Sequence, residues 1–567
     1  MKALALHLIN HDANVTYYDG DKATYLNLER VKGIKKYHYY KWNFPKLTDD
    51  LRGMNIPLEL DAIIVTIGEE ISDLDTDKEL NWQYKEDKLI VEISEKTYEH
   101  IFQTVPYRAK KYYRCEHHFA HYMVAEWMFG RMNKGIVIDG CGDYGYHISL
   151  FENNKRILGY TQRDMCSIGD LYFDTAGDML GRGNHKQWQN SFSDRSGNLM
   201  GLISYGRYNH KYAEYLRSFS FQDFVGQAMN RHTFISKSDV GPEYLAGFDI
   251  DAISKNKRHR SAEADIYPHA MVWHHKDGHP YVNAWHLDWM HTWQIVLTEK
   301  LEELFSEAFA DDDKFSYTGG VAHNVIINEA LNKKFNNMMI PPTIGDEGHS
   351  MGSMFAYLDM MSMEAPKCPM TNWQAEEIPT MNDETVSIVK DLILAGKIVA
   401  VCQGESHVGP RALGNRSLIY ATNKKYAAHY FNERQLKNRE WWRPYGIIVL
   451  EEELSNLLHT KTKSPYMLHT AKPTPYGESA LEGVIHTDNT VRYQTVNDGP
   501  YAKLLRQLRD ANQPAAIVNT SMNAHGKPMC HTKADALQFT EEYGPDALVL
   551  GDEVFLTNMK GTKWSKN

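Results

Sequence analysis

The sequence predicts an α/β protein with two similar lobes facing a nucleotide cleft, followed by a separate α/β domain. Three observations carry that expectation. Apolar runs of strand length alternate with hairpin turns near the start; the pattern restarts around Asp139-Gly140-Cys141-Gly142-Asp143; and a proline-rich break precedes a fresh helix and strand. At 567 residues the chain is longer than one core can use.

Residues 2–9 read as the first strand, residues 11–18 as its partner across a turn, and residues 23–28 as a third strand after Asp19-Gly20-Asp21. Residues 61–67 form another apolar run of strand length. The stretch from Cys115 to Phe129 has apolar residues at helical spacing, so His117 and His121 fall one turn apart on one face. Residues 135–138 then form a strand ending at Asp139, and residues 147–151 begin the repeat. Residues 167–206 are dotted with glycine and are expected to be irregular and to line the cleft. Residues 289–309 read as a helix and 315–318 as a strand leading into Gly319-Gly320. The prolines between 363 and 379 mark a linker. Beyond it, residues 384–395 read as a helix and 398–402 as a strand. The predicted division is therefore 1–365, a linker at 366–382, and 383–567.

Composition excludes several classes. With 42% hydrophobic and 24% charged residues the chain is globular, and a net charge of −11 argues against a uniformly basic nucleic-acid binder. Six scattered cysteines without a CxxC pair suggest reduced thiols and a cytoplasmic location. The first residues are too interrupted for a signal peptide, and no apolar run is long enough to cross a bilayer, so no membrane partner is expected.

Two imidazoles stacked on a helix can hold one metal ion if oxygen ligands join them. Asp139, at a strand end beside glycines, and Asp346, in Gly345-Asp346-Glu347-Gly348, are the candidates. Two His and two Asp suit iron, zinc or manganese better than calcium or magnesium. The alternative is an ordinary pair of polar residues on a core helix. A metallopeptidase helix is ruled out because position 118 is His where that motif needs Glu. Gly140, Gly142, Gly319 and Gly320, with Asn324, are candidates for bringing backbone NH groups to a nucleotide. In the last third, cations gather in turn-rich stretches: Arg411 and Arg416, then Lys437, Arg439 and Arg443, then Arg492, with Ser521 and Asn523 as donors. Such a set suits a phosphate-rich ligand.

These motifs, in order, resemble the O-carbamoyltransferases of nodulation-factor and antibiotic biosynthesis. The resemblance runs from His11-Asp12-Ala13 through His117–His121, Asp139-Gly140, Gly319-Gly320-Val321-Ala322-His323-Asn324 and Gly345-Asp346-Glu347-Gly348. It is most specific at residues 409–417, at Arg443-Pro444 and at residues 519–523. It implies an actin-like ATPase (ASKHA) fold for the first domain and a YrdC-like fold for the second. The YrdC-like domain is expected to make carbamoyl-adenylate from carbamoyl phosphate and ATP (with Mg), with Lys437, Arg439, Ser521 and Asn523 as its signature. His117, His121, Asp139 and Asp346 match the family's ligands for a divalent metal, Fe(II), and His11 matches the residue that takes the acceptor's proton. Two positions depart from the pattern: Asn14 replaces a serine, and Asn198 a lysine.

The expected acceptor is a hydroxyl of a small metabolite. Basic stretches interleaved with aromatics, at 30–42 and 107–114, and a basic patch at 255–260 suggest another: the hydroxymethyl group of a modified pyrimidine in nucleic acid or nucleotide. An actin-like nucleotide-binding regulator without transfer is a third reading. Assembly is left open, a homodimer being one candidate.

Overall fold

The structure is a computed structural model that describes residues 1–9, 11–40, 43–66, 89–102, 104–180, 195–229, 284–437, 442–557 and 565–566. β1 (Ala3–His7), β2 (Asn14–Tyr18) and β3 (Ala23–Asn27) form an antiparallel meander. Every residue of β1 is buried, as a central strand covered on both faces requires. β4 (Glu59–Thr66) joins β1 in parallel, β6 (Arg108–Cys115) joins β4 in parallel, and β5 (Ile90–Ile93) closes the edge. The order is β3-β2-β1-β4-β6-β5.

The second sheet repeats this plan. β7 (Lys134–Ile138), β8 (Tyr146–Glu152) and β9 (Lys155–Thr161) form the meander, and β10 (Phe315–Thr318) and β11 (Met338–Met339) add in parallel on the other side of β7. The order β11-β10-β7-β8-β9 is therefore the same as in the first sheet, without its extra edge strand. Duplication of one mixed sheet in two lobes is the actin-like arrangement, and the α/β expectation is met.

Two helices sit between the lobes: α1 (His117–Phe129) and α2 (His349–Met360). Nearly every residue of both is buried, so neither shows a polar face. They cross closely because residue 352 is glycine; a Cβ there would collide with the Ala120 carbonyl oxygen. Hydroxyl pairs fasten α2 to the first sheet, Ser350 to Thr16 at 2.8 Å and Ser353 to Thr66.

The last part forms one mixed sheet of β12 (Val399–Cys402), β13 (Arg416–Ala421), β14 (Gly446–Leu450), β15 (His469–Ala471), β16 (Val491–Val496), β17 (Ala516–Ser521), β18 (Ala547–Leu550), β19 (Glu553–Leu556) and β20 (Ser565–Lys566). Its order is β15-β16-β14-β17-β13-β12-β18-β19-β20. It packs firmly on the second lobe, whose core takes in Trp442 and Leu468.

Some sequence expectations need correction. The stretch 167–206 is not irregular where it is described: Ile168–Leu180 and Arg195–Ile203 are helices. Gly169 is there for packing, since a Cβ would meet the Gly140 backbone at 2.7 Å. The proline-rich stretch is no loose tether. Asn372 is fully buried, its Oδ1 accepts the Asn27 NH at 2.9 Å, and its own NH donates to Ser406 at 2.8 Å. In the basic stretch 107–114, Tyr112 and Tyr113 are core residues, while Lys110 and Lys111 pair with Asp61 and Glu92. In the stretch 30–42, Arg30 is buried and donates to the Gly409 carbonyl at 3.0 Å. The patch 255–260 lies outside the described residues.

Candidate active site

The site forms where strand ends of both lobes meet α1 and α2. Glu116 caps α1, its carboxylate accepting the Phe119 NH at 2.7 Å, and Asp143 accepts the His117 NH at 3.2 Å. Helical spacing then presents His117 and His121 together, and His118 turns away to Ser149 Oγ at 2.8 Å. Asp139 follows the end of β7. Its Oδ1 accepts two backbone NH groups, from Gly140 at 2.8 Å and Gly320 at 2.9 Å, which aims Oδ2 at the imidazoles. Asp139 Oδ2 lies 3.1 Å from His117 Nε2 and 3.0 Å from His121 Nε2. Asp346, just before α2, brings Oδ1 within 3.7 Å of His117 Nε2 and 3.5 Å of His121 Nε2. All four sequence-predicted ligands therefore converge.

A further imidazole joins them. His349, the first residue of α2, is fully buried, with Nε2 3.9 Å from Asp346 Oδ1. Donor atoms of His117, His121, Asp346 and His349 all lie within 4.8 Å of one another. Donors sharing an ion at about 2.1 Å sit roughly 3.0 Å apart at right angles and about 4.2 Å apart when opposite. The separations of Asp139 and Asp346 from these imidazoles, 3.0–3.9 Å, fall in that window. Nitrogen and carboxylate donors suit a first-row transition metal. The charge balance points the same way. Burial disfavours a charged His121, but its bonds to Asp139 and Asp346 outweigh that and lift it to about 10. Burial opposes ionisation of both aspartates too, yet the surrounding imidazoles hold them well below the usual carboxylate range. Two carboxylates that stay ionised and stabilise positive charge on His121 this strongly suit a metal cation.

His11 borders the cluster. Its Nδ1 lies 2.9 Å from Asp12 Oδ2, its Nε2 lies 3.6 Å from Asp346 Oδ2, and its side chain is 45% exposed. A proton on Nδ1 shared with Asp12 leaves Nε2 as the basic nitrogen. Asn14 explains its own departure from the pattern. It is buried, its amide donates to the Asp12 carbonyl at 2.6 Å and the Asp346 carbonyl at 2.9 Å, and its oxygen accepts the Ser350 NH at 2.9 Å. One side chain thus ties the His11 loop to the start of α2. The Asn198 carbonyl accepts Trp442 Nε1 at 3.3 Å, so this residue serves the contact with the last sheet.

The glycines are used differently from the expectation. The NH groups of Gly140 and Gly320 serve Asp139, that of Gly142 donates to Tyr146 at 2.7 Å, and that of Gly319 donates to Ile344 at 3.1 Å. Gly319 also has φ of 89°, and a Cβ there would collide with the Ile138 carbonyl. Asn324 is the cap of the Val325–Lys334 helix, and its amide donates to Tyr172 and Gln294 at 3.0 Å. In this structure these groups are engaged by the Asp139 carboxylate, by backbone carbonyls and by the helix cap.

In the last sheet, Lys437 is buried with Nζ donating to the Ser521 carbonyl, to Ser521 Oγ at 3.2 Å, to the Asn523 carbonyl at 3.0 Å and to Asn523 Oδ1 at 2.8 Å. Three predicted residues therefore meet at the end of β17. Arg416 differs. Its guanidinium is spent on the carbonyls of Gln403, Gly404, Asn415 and His531 and on Gln374 Oε1, all at 2.7–3.1 Å, which makes it a buried brace. Arg411, Arg443 and Arg492 are all half-buried, and Arg411 stands near enough to His323 to help lower that imidazole, which burial mainly holds at about 3. Arg439 lies outside the described residues.

His349 and the clamp by Asn14 escaped the sequence reading. The one available signal for His349 was its spacing, three residues after Asp346 at a helix start.

Comparison with known proteins adds the last observations. Residues 4–355 match the family model described as carbamoyltransferase N-terminus, and residues 390–557 match carbamoyltransferase C-terminus. An uncharacterized protein of Methanocaldococcus jannaschii is 29% identical over 46% of this chain and 54% of its own. A second from the same organism is 24% identical over 77% of this chain and 72% of its own. The 3'-hydroxymethylcephem-O-carbamoyltransferase of Amycolatopsis lactamdurans is 26% identical over 45% of this chain and 52% of its own. Apart from the second archaeal protein, the chain spans about half the length of these relatives.

Proposed function

The chain belongs to the carbamoyltransferase family, and from that premise we propose that it is an ATP-dependent O-carbamoyltransferase acting on a hydroxyl of a small metabolite. In this reading the last sheet makes carbamoyl-adenylate: water cleaves carbamoyl phosphate to carbamate and phosphate, and a carbamate oxygen bonds to the α-phosphorus of ATP as the bond to pyrophosphate breaks. The two lobes then pass the carbamoyl group to the acceptor. The single observation that carries the reading is the convergence of His117, His121, Asp139 and Asp346 beside an exposed, Asp12-oriented His11.

Those four residues would hold a divalent cation, Fe(II) by resemblance, which when bound supplies Lewis acidity to a carbonyl and charge to offset a phosphate. His11 Nε2 takes the acceptor's proton as the acceptor oxygen bonds to the carbamoyl carbon and the carbon–oxygen bond to AMP breaks. Asp12 holds the Nδ1 proton and stabilises the imidazolium that results. Lys437, fixed between Ser521 and Asn523, supplies positive charge for the phosphates of the activation step. A nucleic-acid acceptor is the weaker reading, because the tyrosines of stretch 107–114 are core residues and its exposed lysines are ion-paired.

The test is pyrophosphate release by iron-loaded protein given ATP, with and without carbamoyl phosphate. Release that needs carbamoyl phosphate and disappears in Lys437→Ala is expected. Silence with and without acceptors would favour a nucleotide-binding regulator instead.

A further inference from the structure

We propose that His349 is a fifth protein ligand of the centre, so that the cation is held by three imidazoles and two carboxylates. The proposal deepens the metal reading of this cluster and rests on it. The His349 ring is fully buried, yet among the described residues neither Nδ1 nor Nε2 has a hydrogen-bond partner. A neutral imidazole carries one donor and one acceptor, and burying both without partners is unfavourable. Coordination through one nitrogen removes half of that cost and gives the ring a reason to be histidine.

Geometry places the ring with the other ligands. Its centroid is 4.2 Å from that of His117 and 4.3 Å from that of His121. The backbone enforces this proximity. Gly352, one turn after His349, packs on the Ala120 carbonyl, and Ala120 lies between His117 and His121 on α1. The close crossing of the two helices therefore brings the first turn of α2 against the histidine face of α1. Asn14 fixes the same turn from the other side by accepting the Ser350 NH and donating to the Asp346 carbonyl. The buried His7 ring meets that of His349 edge-on, 4.6 Å between centroids, and confines it.

A third nitrogen ligand has consequences. It favours ions that take imidazole readily, such as iron, cobalt and zinc, over magnesium and calcium. It also leaves fewer coordination positions for exchangeable ligands.

The test uses Co(II) as the probe. Metal-free full-length protein would be titrated while visible ligand-field absorption is followed and bound cobalt per chain is measured. The wild type is expected to bind one cobalt. His349→Ala should weaken binding by more than the roughly 10–100-fold typical of losing an outer-shell partner, and should shift the absorption bands. X-ray absorption of the wild-type cobalt protein should require three imidazoles, a readout independent of how any variant folds. Unchanged bands and affinity in folded His349→Ala, or two imidazoles in the wild type, would overturn the proposal and leave the four-ligand centre standing. No cobalt uptake by the wild type would overturn the centre and the fifth ligand together.

Discussion

The lobe-interface cluster and the last sheet's cation set treat buried charge in opposite ways. In the first, imidazoles and carboxylates face one another, and the Nδ1 atoms of His117, His121 and His349 find no hydrogen-bond partner among the described residues. In the second, Lys437 and Arg416 spend their donors on carbonyls, amides and a hydroxyl of the protein itself. An added cation would complete the first arrangement. The second is complete as it stands, so a phosphate ligand there must compete with internal hydrogen bonds. Buried ionisable groups therefore serve different ends, and unmet hydrogen-bonding valence separates them.

Substitutions that separate the two regions should give the largest effects. Asp139→Asn and His121→Ala should abolish metal uptake and acceptor carbamoylation while leaving carbamoyl-phosphate-dependent pyrophosphate release intact. Lys437→Ala should keep full metal content by elemental analysis while losing pyrophosphate release, and acceptor carbamoylation with it. Loss of pyrophosphate release in Asp139→Asn or His121→Ala, or loss of metal in Lys437→Ala, would break the comparison.

His11→Asn should lower the acceptor-transfer rate by about 10²–10⁴-fold, without changing metal content or pyrophosphate release. A change in metal content would instead assign His11 to the cation. Gly352→Ala should separate α1 from α2. A loss of about 1–3 kcal/mol in thermal stability and weaker metal binding are expected, with Lys437-dependent pyrophosphate release retained.

Acidity gives the smallest and most diagnostic contrast, read on metal-free protein. Burial lowers His407, His469 and His531 of the last part to about 4 each. The unfolded chain takes protons near pH 6.5 that the fold refuses, so stability falls between pH 6.5 and 4 and levels off below. The loss from pH 7 to 6 is about 0.7 kcal/mol per imidazole. His121 behaves oppositely. Its folded value near 10 gives stability that is present below pH 6.5 and lost as pH rises toward 10. Unfolding midpoints measured across pH should therefore fall on both sides of neutrality, and metal should remove the alkaline limb.

Much of this was legible in the chain itself. A helical His pair, an aspartate ending a strand and a second aspartate in a glycine turn are local patterns, and all four residues meet as read. The duplicated sheet was visible as a restarted strand pattern, although the repeat begins at β7, a strand earlier than the glycine turn suggested. Long-range partners were not legible. Nothing near Gly320 says that its NH will serve a carboxylate 181 residues away, and Arg416 looks like a phosphate ligand until the surrounding carbonyls are seen. His349 was hidden for the converse reason: it stands on a helix buried on all sides, where a polar residue has no periodic signature.

The most direct test of the central claim is an anomalous difference map, recorded at the iron edge, from crystals of anaerobically iron-loaded protein. One strong peak enclosed by His117, His121, Asp139 and Asp346 is expected, absent in Asp139→Asn. A wild-type map with no peak among those residues, or with iron bound only elsewhere, would contradict the account.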